Sequence, residues 1–387
     1  MNFDLTDERQ MLQDGLRRYL NDGYSANTRM AIEDAEAGFS SEIWNGLAEM
    51  GVIGALFREA DGGFAGEGFD LALVFEELGR IGAVDPLIDT AVLGGGLIAE
   101  LGNDAQKETI EAIIAGTAHL AFAHGEPTSR FDLSRVETTA KKTGDRYVLN
   151  GRKAVVVNAP SAENMIVSAR TSGGPSDAQG ISLFYVPSDA DGVTLRSYGV
   201  VGGGLAAEVI LDDVAADLLG DEGTAHDAIA RVTARATLAI CAEALGLMES
   251  IKTLTNEYLK TRKQFGVPIG KFQALQHRLA DVLIEIEQAR SAVINLAGHI
   301  DATPELRDLH VSATKNLIGD AARLVVEEGI QMHGGIGMTM EYELGHLAKR
   351  LTMIDHRFGD TTYHLERFIE LAVVEANAAN LPRNQRA

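Results

Sequence analysis

The sequence predicts an α+β protein in three parts: an N-terminal helical domain over residues 1–118, a middle antiparallel β domain over 119–222 and a C-terminal four-helix bundle over 223–387. Three observations carry this. Apolar residues recur at helical spacing at both ends, and short apolar runs between turn residues fill the middle. The last part also holds long periodic stretches at 225–261, 272–300, 305–332 and 360–379, lengths that suit a bundle. A chain of 387 residues exceeds one ordinary core, so two or three compact domains are expected.

Taken in order, Thr6 can cap a helix running through Met11, Leu12, Leu16 and Leu20, and a second periodic run spans 43–50. Asp61-Gly62-Gly63 reads as a turn. A further helix runs through Leu71, Val74, Phe75 and Leu78 to end near Gly79 or Gly82, and residues 93–101 add an apolar segment to the same core. In the middle part, apolar runs at 120–123, 147–149, 155–157, 165–167, 181–186 and 208–211 read as strands. Gly144-Asp145, Asn150-Gly151 and the 171–175 segment are expected to turn between them, at spacings that suit antiparallel pairing. In the bundle, Leu275, Leu279, Val282, Leu283 and Ile286 form one apolar stripe, with Arg278, Asp281, Glu285 and Gln288 largely outside it.

Composition narrows the function. The net charge of −22 repels nucleic acid and anionic membrane surfaces, so a polyanionic ligand must find a local cationic pocket. The acidic start lacks a secretory n-region and no 18-residue apolar run occurs, which points to the cytoplasm and away from the membrane. Cys241 among alanines and Ile240 reads as a small buried hydrophobe. Gly202-Gly203-Gly204 lies between β runs, the wrong context for a dinucleotide fingerprint, so a nicotinamide-binding Rossmann domain is not expected. No metal site is assigned.

Two segments are less generic than the rest. In 258–266, Arg262 ends a helix ahead of Phe265-Gly266, offering a permanently charged planar donor fork for a pyrophosphate and an aromatic surface for a ring system. In 331–339, Gly334-Gly335 lets backbone amides approach an anion and Gln331 can hydrogen-bond it. Each has a plainer reading: Arg262 can answer the helix dipole, and the glycines can stop a helix.

These segments, with Gln276-His277 and the helix–β–helix order, resemble the acyl-CoA dehydrogenase family over essentially the whole chain. Asp145-Tyr147-Leu149-Asn150-Gly151-Lys153 and 218–223 share the resemblance. The Phe358-Gly359-Asp360 turn and the 349–355 run are most similar to small subunits of the pimeloyl-CoA dehydrogenase type. The resemblance implies FAD as cofactor, an acyl-CoA thioester as substrate, α,β-dehydrogenation as the reaction and an electron-transfer flavoprotein as acceptor. It also implies that Arg262, Phe265, Gln331, Gly334, Gly335 and Thr361 bind FAD held mainly by a neighbouring subunit.

The family removes the α proton with a carboxylate while the β hydride passes to the flavin, so the base is decisive. The family's Tyr-Glu-Gly-Thr falls on Phe358, Gly359, Asp360 and Thr361, which puts glycine where the base belongs. The alternative site on the first bundle helix falls on Ala236. Asp360 lies one residue beyond the vacant place and is the candidate base, although it also suits the cap of the following helix. Glu243 shares a helix face with Ala236 but lies roughly 10 Å along the axis, and an interhelical ion pair suits it better. The family's Thr-Glu-Pro-Gly-Ala-Gly-Ser-Asp cradle falls on 125–132, placing Phe131 at a small hydroxyl position. The strand beside the flavin ring falls on Val155-Val156-Val157-Asn158, without its aromatic and hydroxyl, and the CoA-recognising arginine falls on Thr237.

The expectation is therefore the less active half of a heteromeric dehydrogenase, completing FAD sites on a related subunit in a tetramer. Two alternatives stand beside it: a flavoenzyme of altered chemistry using Asp360 or no protein base, and a non-catalytic scaffold.

Overall fold

The computed structural model describes residues 5–33 and 35–379. They fall into two compact units, one holding the residues up to Asp70 with Ala83–Ala236, the other Leu71–Gly82 with the residues from Thr237 onward.

The first unit opens with helices α1 (Asp7–Gly23), α2 (Ala26–Glu33) and α3 (Ser41–Glu49). Thr6 and Ser40 cap α1 and α3, their hydroxyls accepting the backbone N–H of Arg9 and Ile43 at 3.3 Å. Helix α4 (Gly68–Ile81) passes from the first unit into the second. Ile88–Gly95 is wound as a π-helix and runs into α5 (Gly96–Leu101). Helix α6 (Asp104–Ile114) begins at an Asn103/Gln106 capping box that the apolar pattern had not singled out.

The β strands follow: β1 (Leu120–Ala123), β2 (Thr139–Thr143), β3 (Arg146–Val157), β4 (Asn164–Arg170), β5 (Ile181–Pro187), β6 (Val193–Gly199) and β7 (Leu205–Leu219). The pairings β4-β2-β3-β7-β5 return to β4, closing a ring, with β1 added beside β4 and β6 beside β7. Its interior holds Leu149, Val156, Met165, Val167, Phe184, Val209 and Val214, all nearly or fully buried.

Two expectations need correction. Asn150-Gly151 is not a turn: β3 runs through it with a register shift, because Asn150 exchanges hydrogen bonds with Asp213 and Thr138 packs where a Gly151 side chain would lie. Pairing is not wholly antiparallel, since β1 runs parallel to β4 and β2 meets β4 in parallel at Thr139–Arg170. Strands β2 and β6 also escape the apolar pattern because most of their side chains face solvent.

Arg170 shows how the loops of this unit are held. Its five N–H donors reach the carbonyls of Val136, Asp177, Gln179, Ser134 and Pro175 at 2.7–3.4 Å.

The second unit contains most of α7 (His226–Thr261), a hairpin of β8 (Lys263–Gln264) and β9 (Val267–Pro268), and α8 (Gln273–His299), α9 (Pro304–His333), α10 (Glu343–Ile354) and α11 (Thr361–Ala379). The four long helices match the periodic stretches; α10 is an addition to them. A half-buried ion network ties α4 to α7 and α8: Arg80 bonds Glu76 at 2.6 Å, and Arg290 bonds Glu76 at 3.1 Å and Glu249 at 2.7 Å. The α8 stripe is narrower than expected. Val282 and Ile286 are buried, whereas Leu283 is 43% exposed and its neighbour Ile284 56%. Cys241 is buried, and burial pushes its thiol up to about 12, which leaves it inert as a nucleophile.

Candidate functional site

The last turn of α7 delivers Arg262 to solvent, and the chain reverses at once. Gln264 pairs with Val267, so Phe265 and Gly266 are the two central residues of a tight hairpin. Both have positive φ, 53° and 82°, the pattern of a type I′ turn. Gly266 takes that conformation without strain; a phenylalanine does not. Phe265 is 91% exposed, and its ring touches Phe272 edge-on at 6.2 Å between centroids.

Helix α9 ends beside this hairpin's root. Gly334 has φ 66°, and its N–H bonds the Ile330 carbonyl, which stops the helix. A Cβ placed on Gly334 or Gly335 would meet nothing within 4 Å, and Gln331 is exposed, so the turn is open to an outside group. Tyr258, four residues before Arg262, stacks on His333 at 4.5 Å and thereby joins the two segments.

The 354–361 turn is closed instead of open. Buried Lys315 donates to the carbonyls of Ile354 at 3.0 Å, Asp355 at 3.2 Å and Gly359 at 2.9 Å, and burial lowers its pKa. Asp355 accepts both the N–H and the hydroxyl of Thr361, at 3.1 and 2.7 Å. His364 Nε2 donates to the Phe358 carbonyl at 2.9 Å, and burial pulls that imidazole down to about 4, keeping it neutral. Phe358 and Gly359 have φ of 58° and 113°. A Cβ on Gly359 would lie 2.6 Å from Tyr363 Cδ1 and closer still to His364 Nε2. Asp360 accepts the N–H of Tyr363 at 2.8 Å, the geometry of an N-cap on α11. Its neighbour Thr361 has its hydroxyl proton committed to Asp355, and the oxygen packs against Gly319 of α9, where a Cβ would have no room.

Sequence reasoning found the turn but not its fasteners, Lys315 and His364. Lys315 was detectable: it lies on the buried face of α9 among Val311, Ile318 and Ala322, where an unpaired lysine has no place. Glu243 is buried and paired with Arg350, as an interhelical ion pair. Ala236 is fully buried on α7.

In the β unit, Glu126 is buried and fully engaged. It accepts the N–H of Glu137 at 2.7 Å and of Thr138 at 3.0 Å, with Lys153 at 2.7 Å. Phe131 is half-buried beneath the Arg130 guanidinium, 5.8 Å from its ring centre. Val155 has φ 52° and is 60% exposed, Val156 lies in the β core, and the Asn158 amide donates to Leu120 O at 3.0 Å and Thr90 Oγ1 at 3.3 Å.

An FAD nucleotide thus fits the exposed bundle set: a charged fork at Arg262, an outward ring at Phe265, an exposed amide at Gln331 and an open glycine turn at 334–335. The β-unit set does not fit in the same way, since Phe131 and Val157 carry no hydroxyl and the Asn158 amide is already bonded. Among the described residues, no helix is long and apolar enough to cross a membrane.

Comparison with known proteins identifies the family. Residues 6–117, 121–214 and 226–369 match the N-terminal, middle and C-terminal domains of acyl-CoA dehydrogenases. The probable acyl-CoA dehydrogenase YngJ of Bacillus subtilis is 31% identical over 95% of this chain and 98% of its own length. Butyryl-CoA dehydrogenase from Megasphaera elsdenii superposes with a TM-score of 0.88 at 27% identity, covering 96% of this chain and 100% of that one. A variant of the Tcur3481-Tcur3483 steroid ACAD superposes with a TM-score of 0.86 at 30% identity, over 96% and 99%. The chain belongs to the acyl-CoA dehydrogenase family, FAD-dependent oxidoreductases acting on CH–CH bonds.

Proposed function

We propose that this chain is the small, catalytically weak subunit of a heteromeric acyl-CoA dehydrogenase, completing FAD sites centred on a related, catalytically intact subunit. The observation that carries this reading is a contrast within the chain. The bundle residues that match the family's cofactor motif are exposed and open, while Gly359 and Ala236 supply no carboxylate and Asp360 is engaged as a helix cap.

Bound FAD supplies the two-electron oxidant that accepts hydride from the acyl β carbon. This chain's residues hold it: Arg262 answers the pyrophosphate charge, Phe265 covers a ring, and Gln331, Gly334 and Gly335 offer donors. Exposed apolar residues on α8 (Leu283, Ile284) and α11 (Leu365, Ile369, Val373) are surfaces for neighbouring subunits, in keeping with a tetramer. An electron-transfer flavoprotein takes the electrons, and the assembly works in the cytoplasm on an acyl-CoA thioester. The paired name of the Tcur3481-Tcur3483 relative supports assembly from two kinds of chain.

A second reading makes this chain a base-bearing enzyme through Asp360. Its support is the unusual backbone of the turn, with both Phe358 and Gly359 at positive φ directly before Asp360.

Two variants in the co-expressed complex separate the readings. Arg262→Ala is expected to lower FAD occupancy, because a charge-assisted contact contributes about 1.5–3 kcal/mol. Asp360→Asn is expected to leave turnover nearly unchanged, since asparagine caps a helix equally well. Loss of turnover beyond about a hundredfold in Asp360→Asn, the scale of a removed general base, would reject the small-subunit reading in favour of the second.

A further inference from the structure

We infer that Tyr258 and Tyr342, acting through the His333 ring between them, are positioning residues that fix the Phe265-Gly266 hairpin and the Gly334-Gly335 turn as one unit. The inference rests on the cofactor reading above, which gives both segments the same ligand.

His333 is the hub. It is buried, directly precedes Gly334, and its Nδ1 lies 2.8 Å from the Gly329 carbonyl. A carbonyl only accepts, so Nδ1 carries the proton and Nε2 presents a lone pair. Burial lowers the pKa of the ring against the opposing pull of the Gly329 and Leu254 carbonyls, which favours the neutral imidazole. Tyr342 OH lies 3.3 Å from Nε2 and donates to it. Residues 333 and 342 bracket the whole 334–341 loop, so this bond closes the loop on its own root. The loop is wrapped closely: a Cβ on Gly337 would stand 3.0 Å from the His333 Cβ.

The Tyr258 ring packs on His333 at 4.5 Å and 25°. Tyr258 belongs to the last turn of α7, where its carbonyl accepts the Arg262 N–H at 2.8 Å and starts the hairpin. A shift of the stacked rings therefore moves both ligand-facing segments together. Neither tyrosine is among the residues assigned to the cofactor, so they act on it only through position.

The test uses the co-expressed complex, with FAD affinity measured after flavin removal and hydrogen exchange measured over 262–268 and 334–342. Tyr258→Leu is expected to weaken FAD binding about tenfold and to raise exchange in both segments together, whereas Tyr258→Phe, which keeps the ring, matches the unaltered complex. Tyr342→Phe removes one hydroxyl from an intact fold and is expected to raise exchange across 334–342. Unchanged exchange in Tyr258→Leu, a rise confined to one segment, or equal behaviour of the Leu and Phe variants would overturn the inference. Should Tyr258→Leu not fold, unchanged exchange in Tyr342→Phe would overturn it alone. Arg262→Ala serves as the control for the cofactor reading: FAD affinity unaltered there rejects that reading, while the exchange data still decide whether the two segments are coupled.

Discussion

Replacing Gly359 with glutamate is expected to destabilise the bundle severely and to install no working base. The backbone at 359 has φ 113°, a region that L side chains avoid. The space a side chain needs is filled by Tyr363 and His364. His364 cannot swing aside freely, being buried and bonded to the Phe358 carbonyl at 2.9 Å. The backbone cannot move either, because Lys315 holds the Gly359 carbonyl at 2.9 Å and those of Ile354 and Asp355 beside it. Strain and overpacking together are expected to remove about 3–5 kcal/mol of stability. Calorimetry checks this. Gly359→Ala should show most of the loss, and His364→Ala in that background should recover part of it, a coupling of about 1–2 kcal/mol. A Gly359→Glu protein as stable as the parent would show that the turn is not locked as described.

Phe265→Asn is expected to separate stability from cofactor binding. Asparagine followed by glycine is the favoured pair for a two-residue hairpin with both φ positive, whereas phenylalanine at φ 53° is strained. The variant should gain about 0.5–1 kcal/mol, because the ring it loses is 91% exposed and contributes little to the chain's own core. In the co-expressed complex the same change should weaken FAD retention about tenfold, the scale of a lost aromatic contact of about 1.5 kcal/mol. Thermal unfolding and flavin content read the two effects from one preparation. A variant that keeps its flavin at full strength would remove Phe265 from the cofactor surface.

The amino-acid pattern revealed whatever depends on local spacing. The four long helices appeared as periodic stretches, and Phe265-Gly266 and Gly334-Gly335 stood out because hairpins and helix stops need particular residues at particular places. What it hid depends on contacts distant in sequence. Strand β2 carries one buried residue, Ala140, between exposed neighbours, so its place in the ring comes from β3 and β4. Asn150-Gly151 has the composition of a turn, yet Asp213 and Thr138 hold it extended within β3. The apolar α8 residues Leu283 and Ile284 look like core in one dimension and are surface in this chain. In the candidate site, Gly359 and Asp360 were legible as a departure from a motif. The reason the turn stays shut was not, because Lys315 and His364 lie 44 and 5 residues from Gly359 or act through its backbone.

On the small-subunit reading, this chain completes a flavin site without forming one alone. The most direct measurement is the visible spectrum and native mass of the chain expressed by itself and then with a related acyl-CoA dehydrogenase chain from the same source. A colourless chain is expected, one that acquires FAD and acyl-CoA-dependent dye reduction only in a mixed assembly with fewer flavins than polypeptides. A yellow, active homo-oligomer with one FAD per chain would contradict it and return Asp360 to the role of base.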